Sequence, residues 1–69
     1  MINELTNLRA EKAMREVDYT IAVKHREEAA ARTWSRENQR AYESARDWAE
    51  TCFEAFAEAR GKLIRALAA

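Results

Sequence analysis

Across its 69 residues the chain contains no proline and a single glycine, Gly61, close to the C-terminus. Proline and glycine are the usual punctuation of helices, and a glycine in mid-helix costs about 1 kcal/mol relative to alanine. A chain without them, rich in Ala, Arg, Glu, Leu and Lys, has little alternative to long helices. A chain this short cannot wrap helices around a catalytic pocket. The expectation is therefore a non-enzymatic protein that works by presenting a surface.

Asn3 followed by Glu4 forms a good helix start, a capping side chain and then an acid where the helix dipole favours it. Helical character persists past Ala31, and the likeliest break is at Thr33-Trp34-Ser35-Arg36. Ser35 can cap a second helix that has Glu37 in its first turn, while Lys24, His25, Arg26 and Arg32 suit the C-terminal part of the first. The reading is all-α: helix 1 over about 3–33, a turn at about 33–36, and helix 2 over about 36–60. Gly61 either ends helix 2 or merely weakens it, in which case the helix extends to 68. One continuous rod is disfavoured, because it would leave wide apolar stripes in water. Two helices of comparable length make an antiparallel hairpin, a single domain spanning 1–69.

The apolar pattern is too wide for a hairpin alone. On helix 2, Asn38, Ala41, Ala45, Trp48, Cys52, Ala55, Ala59 and Ala66 follow steps of three and four. Tyr42, Ala49, Phe56, Leu63 and Leu67 run beside them, with Phe53 and Ile64 further round, and Phe56 faces the centre of the arc. Helix 1 carries two stripes on nearly opposite sides. One holds Ala10, Met14, Val17, Ile21 and His25; the other holds Leu5, Leu8, Tyr19, Val23 and Ala30. Two hairpins packed into a four-helix bundle would bury both, so a homodimer is expected. Small domains of this size are marginal alone, and oligomerisation is a common remedy.

Composition removes several function classes. Twelve basic and twelve acidic residues cancel, and residues 1–35 and 36–69 each carry six of either sign. That is unlike the basic excess of nucleic-acid binders, so nucleic acid is an unlikely partner. No apolar run approaches the ~20 residues that cross a bilayer, and the N-terminus lacks the pattern of a secretory signal. No membrane association and a cytoplasmic location are expected. With one histidine, His25, and one cysteine, Cys52, the chain offers no catalytic triad, no disulfide framework and no metal-ligand set. No cofactor and no metal are expected. His25 reads as a residue near a helix end or on a dimer seam. Cys52 reads as a small buried hydrophobe, or else as a thiol open to interchain pairing.

One surface feature exceeds what a solvated helix usually shows. Glu43, Asp47, Glu50, Glu54 and Glu58 step by 4, 3, 4 and 4, which puts five carboxylates within roughly 80° of one face and along about 22 Å. Like charges at this spacing cost a few tenths of a kcal/mol per pair, so ordinary faces mix signs. Here no Lys or Arg falls inside the stripe, although Arg40 borders its start. The strip is either a plain solvated face or a docking strip for a basic surface, and its spacing of about 5–6 Å could imitate a phosphate backbone. Tyr42 and Trp48 lie at the two margins of the apolar arc beside these acids. Aromatics next to charge are typical of binding hot spots, and equally of the edge of a core. The candidate protein-binding set is Tyr42, Glu43, Asp47, Trp48, Glu50, Glu54 and Glu58.

The length, the two-helix organisation and the stretch Ala41-Tyr42-Glu43-Ser44-Ala45-Arg46-Asp47-Trp48 resemble small phage-encoded anti-quorum-sensing, host-takeover proteins. The resemblance spans the chain in size and architecture and rests on no diagnostic motif. It implies a dimeric helical hairpin, in the host cytoplasm, that binds a LuxR-type transcription regulator and can also block the type IV pilus assembly ATPase. Inhibition would then work by contact, in competition with DNA binding or multimer activity. The alternatives are a small nucleic-acid-binding hairpin dimer, against which the charge balance and the acidic strip argue, and a structural adaptor.

Overall fold

The computed structural model describes residues 3–69. It is an antiparallel hairpin of two helices, α1 (Glu4–Ala30) and α2 (Arg36–Ala68), and contains no strand among the described residues. The all-α hairpin expected from the sequence is the one observed.

Each helix begins where a short polar side chain takes up a free backbone N–H. Asn3 Oδ1 accepts from the Thr6 N–H at 2.8 Å, and Ser35 Oγ accepts from the Asn38 N–H at 3.0 Å. Both capping residues have extended backbone, the conformation that frees a side chain to reach back over the first turn. Glu4 and Glu37 place a carboxylate in each first turn, near the positive end of the dipole.

α1 ends three residues earlier than expected, at Ala30. The Ala31 N–H reaches the Glu27 carbonyl at 3.1 Å and the Arg32 N–H reaches that of Ala29 at 3.3 Å, tightening the last turn. The Thr33 carbonyl is then held by the Asn38 side-chain amide at 2.7 Å. Ser and Asn side chains that bond nearby backbone compete with helix, and here Ser35 and Asn38 do so at the end of the connection. The last turn of α1 has no basic residue, and Glu27 and Glu28 stand near its negative end, an unfavourable placement, so the helix ends there in spite of its dipole and not because of it. The five-residue connection uses no left-handed backbone, which is why it needs no glycine.

Gly61 does not interrupt α2, which runs through it to Ala68. A single glycine lowers the stability of a helix but does not stop one that is held by packing over 33 residues.

The two helices meet along a seam of small side chains. The buried residues are Ala22 and Ala29 of α1 with Ala45, Ala49, Ala59 and Leu63 of α2. Five of the six are alanines, which lets the axes come close but leaves no room for rings between them. Phe56, expected at the centre of the core, is therefore only half-buried. Its ring lies beside the seam, stacked on Tyr19 at 6.2 Å between centroids. Of the two apolar stripes of α1, the one with Leu5, Leu8, Tyr19 and Val23 is half-buried, whereas its Ala30 is exposed and the neighbouring Ala29 takes the buried place. Between these positions the seam is polar: Glu11 and Lys12 are half-buried, and Lys62 bridges the helices to Glu11 at 4.0 Å.

Candidate binding surfaces

The seam divides the outer surface of the hairpin into two flanks and a back. On the first flank Tyr19 gathers Phe53 and Phe56, with ring centroids 5.4 and 6.2 Å away. The Arg60 guanidinium sits 5.5 Å from the Phe56 ring centre, within the range of a cation–π contact. On the second flank the His25 ring meets Trp48 edge-on at 5.7 Å. Here too lie Met14, Val17 and Ile21, the stripe that the hairpin itself leaves uncovered.

The five acids of α2 are all exposed on the back of the helix, and the structure separates them. Glu43 accepts from the Gln39 side-chain amide at 3.2 Å, Asp47 accepts from Arg46 Nη2 at 3.3 Å, and Glu58 lies 3.7 Å from Lys62 Nζ. Arg46 and Lys62 thus draw off charge that the linear pattern assigned to an uninterrupted strip. Glu50 and Glu54 have no such partner among the described residues. Both border a shallow hollow of about 320 Å³ formed with Tyr19, Arg26 and Phe53. The two free carboxylates therefore adjoin the first flank.

At the loop end a second hollow of about 300 Å³ brings Trp34 and Tyr42 together with Arg32 and Gln39. Trp34 is 77% exposed, the most open large apolar side chain of the molecule among the described residues. Because Gln39 touches Glu43, this hollow continues into the acids of α2. Along α2 the loop-end hollow with Trp34 and Tyr42 is followed by Glu43 and then, beyond Arg46, by the hollow of Glu50, Phe53 and Glu54. Trp48, grouped with these residues on sequence grounds, stands across the seam on the second flank.

Tyr19, Arg26 and Phe53 in one hollow and Trp34 in the other were missing from the expected set. Phe53 was visible as a margin residue of the apolar arc. Tyr19 and Arg26 come from the other helix, and only the register of the hairpin brings them to Phe53 and Glu50. The hollows are open to solvent and wide for their depth, a shape suited to receiving side chains of a partner. Among the described residues no three His, Cys, Asp or Glu side chains converge on a point where a metal could sit, and neither helix is long and apolar enough to cross a membrane.

The chain matches no protein-family model, no curated protein and no solved structure.

Proposed function

We propose that this protein is a phage-encoded inhibitor that acts by protein–protein contact, as a homodimer in the host cytoplasm. Its principal target would be a LuxR-type transcription regulator, with the type IV pilus assembly ATPase as a second. The targets come from the resemblance of its length, its hairpin and the Ala41–Trp48 stretch to host-takeover proteins of that kind. The observation that carries the contact itself is the acidic-aromatic surface, in which Glu50 and Glu54, unpaired among the described residues, stand beside the exposed ring of Phe53.

A DNA-binding regulator must present a basic surface to phosphates. Carboxylates spaced about 5–6 Å apart along a helix offer that surface an alternative ligand, and aromatic rings beside them supply the desolvated contact that gives such docking its strength. Occupying the basic surface is enough to inhibit. No chemistry on the target is needed.

The test is binding of a purified LuxR-type regulator, measured with the wild type and with Glu50→Gln/Glu54→Gln. Among the described residues neither carboxylate has a cationic partner, so the double variant keeps its helix and melts no lower than wild type. Its association with the regulator slows, the affinity drops, and the wild-type affinity falls as salt rises. Tyr42→Ala, with its melting curve recorded alongside, tests the aromatic part, where a hot spot costs about 2 kcal/mol or more. A regulator that binds the acid-neutralised protein as tightly as wild type at low salt would reduce the acids to a solvated face.

A further inference from the structure

The hollow at the loop end is a site of a different kind from the acids of α2, and what it can hold does not depend on any regulator. Its volume of about 300 Å³ stands at the lower limit of small-ligand pockets, enough for one bulky residue. Buried Ala29 and the rings of Trp34 and Tyr42 give it apolar walls, and Arg32 brings the only formal charge in its lining. We propose that this hollow captures the free C-terminus of a partner chain that ends in an aromatic or branched apolar residue.

Bonds already made within the hairpin decide what the polar groups of the hollow have left to offer. The Asn38 amide nitrogen donates to the Thr33 carbonyl at 2.7 Å, and that of Gln39 donates to Glu43 at 3.2 Å. The oxygens of both amides accept no hydrogen bond among the described residues. Nor does the Arg32 guanidinium make a hydrogen bond or ion pair there, or the Tyr42 hydroxyl a hydrogen bond. A C-terminal residue matches that set. Its two carboxylate oxygens suit the guanidinium and the phenol, its N–H suits an amide oxygen, and its side chain suits the space between the rings. Carboxylate and side chain leave the same carbon, so both enter a hollow this small. An internal Asp or Glu beside an apolar residue cannot do the same, since neighbouring side chains of an extended segment face opposite ways.

Charge argues against other occupants. A cation would be repelled by Arg32. A wholly apolar group would take the guanidinium out of water without pairing it. A nucleic acid would bring a row of phosphates past Glu43 and the acids beyond it, whereas a C-terminus brings a single charge. The end of α1 and the start of α2 meet here with dipoles of opposite sign, which leaves the charge of Arg32 uncancelled.

The test is a titration of the nitrogen-15-labelled protein with a hexapeptide of Gly and Ser ending in Phe with a free carboxylate. The Trp34 indole N–H resonance, identified by its loss in Trp34→Ala, should move, while that of Trp48, across the seam, should stay. Amidating the peptide should weaken binding by about tenfold or more, the effect of losing a charge-assisted hydrogen bond. Arg32→Gln should abolish the difference between acid and amide, which a purely structural role would not do. Trp34→Ala, followed through the Gln39 amide resonance, should weaken both peptides alike by about tenfold. Both residues are exposed in the connection, so both variants should melt as the wild type does. Equal affinity of the wild type for acid and amide would overturn the proposal, as would a Trp34 signal that neither peptide moves at millimolar concentration. An amidated peptide with an internal Phe-Asp that binds as tightly as the free acid would overturn it in favour of a side-chain carboxylate. A single-stranded oligonucleotide that displaces the peptide would do so in favour of a stacked base. A Trp34 signal that moves with protein concentration alone would give the hollow to a second copy of the chain.

Discussion

Gly61 is the residue whose role changes most between sequence and structure. It lies inside α2 with helical backbone, half-buried, and a Cβ added there would meet only the tip of Arg65, with Nη1 at 3.2 Å. A guanidinium at the end of a long side chain moves aside easily. Gly61→Ala should therefore stabilise the protein by about 0.5–1 kcal/mol through helix propensity, measured by denaturant unfolding. A destabilised variant would mean that the Arg65 position is fixed by something more than its own helix. The buried alanines respond in the opposite way. Ala49 is 1% exposed and sits where the helices come close, so Ala49→Leu should cost about 1–3 kcal/mol by forcing the axes apart. The same change at exposed Ala13 should be nearly neutral. These alanines also explain what the sequence left hidden. Ala22 and Ala29 belong to the seam, yet neither stood out in the apolar pattern, because alanine is as common on the outside of a helix as within a close-packed interface.

The elements were legible where polar caps wrote them and less so where packing decided. Asn3 and Ser35 were expected as caps, and both make the bonds. Ser35→Ala should remove the acceptor of the Asn38 N–H and cost about 1 kcal/mol, with early fraying of α2 detectable as loss of hydrogen-exchange protection over its first turn. Unchanged protection would mean that the Asn38–Thr33 bond alone holds the start of the helix. The end of α1 was misplaced by a turn because its stop signal lies in side chains that bond across the loop, Asn38 to Thr33 above all, and not in a glycine or proline. The inner face of α1 was hard to read for a different reason. Glu11, Lys12 and Arg26 are half-buried in the seam, and their polar heads mask an apolar face that their stems help to cover.

At the scale of the molecule, the sequence disclosed two apolar sides but not which candidate binding residues shared one. Trp48 and Tyr42 flank the same helix, and only the course of α1 reveals that one looks to the His25 side and the other to the loop end. Likewise, five acids in a row became three partnered carboxylates and two free ones once Gln39, Arg46 and Lys62 were in place. Self-association has a thermodynamic signature that needs no mutation. If the folded hairpin is completed by its copy, the melting temperature should rise with protein concentration, because association stabilises only the folded state. A calorimetric series over a hundredfold range of concentration would detect it, and a constant melting temperature would mean that one hairpin is sufficient.

The smallest dimension of the hairpin is 13 Å, little more than a single helix with its side chains. A body this thin has two sides and no interior apart from them, so a position that packs on one side is never more than one side chain from the other. A change that improves grip on a target is at the same time a change in what holds the hairpin together.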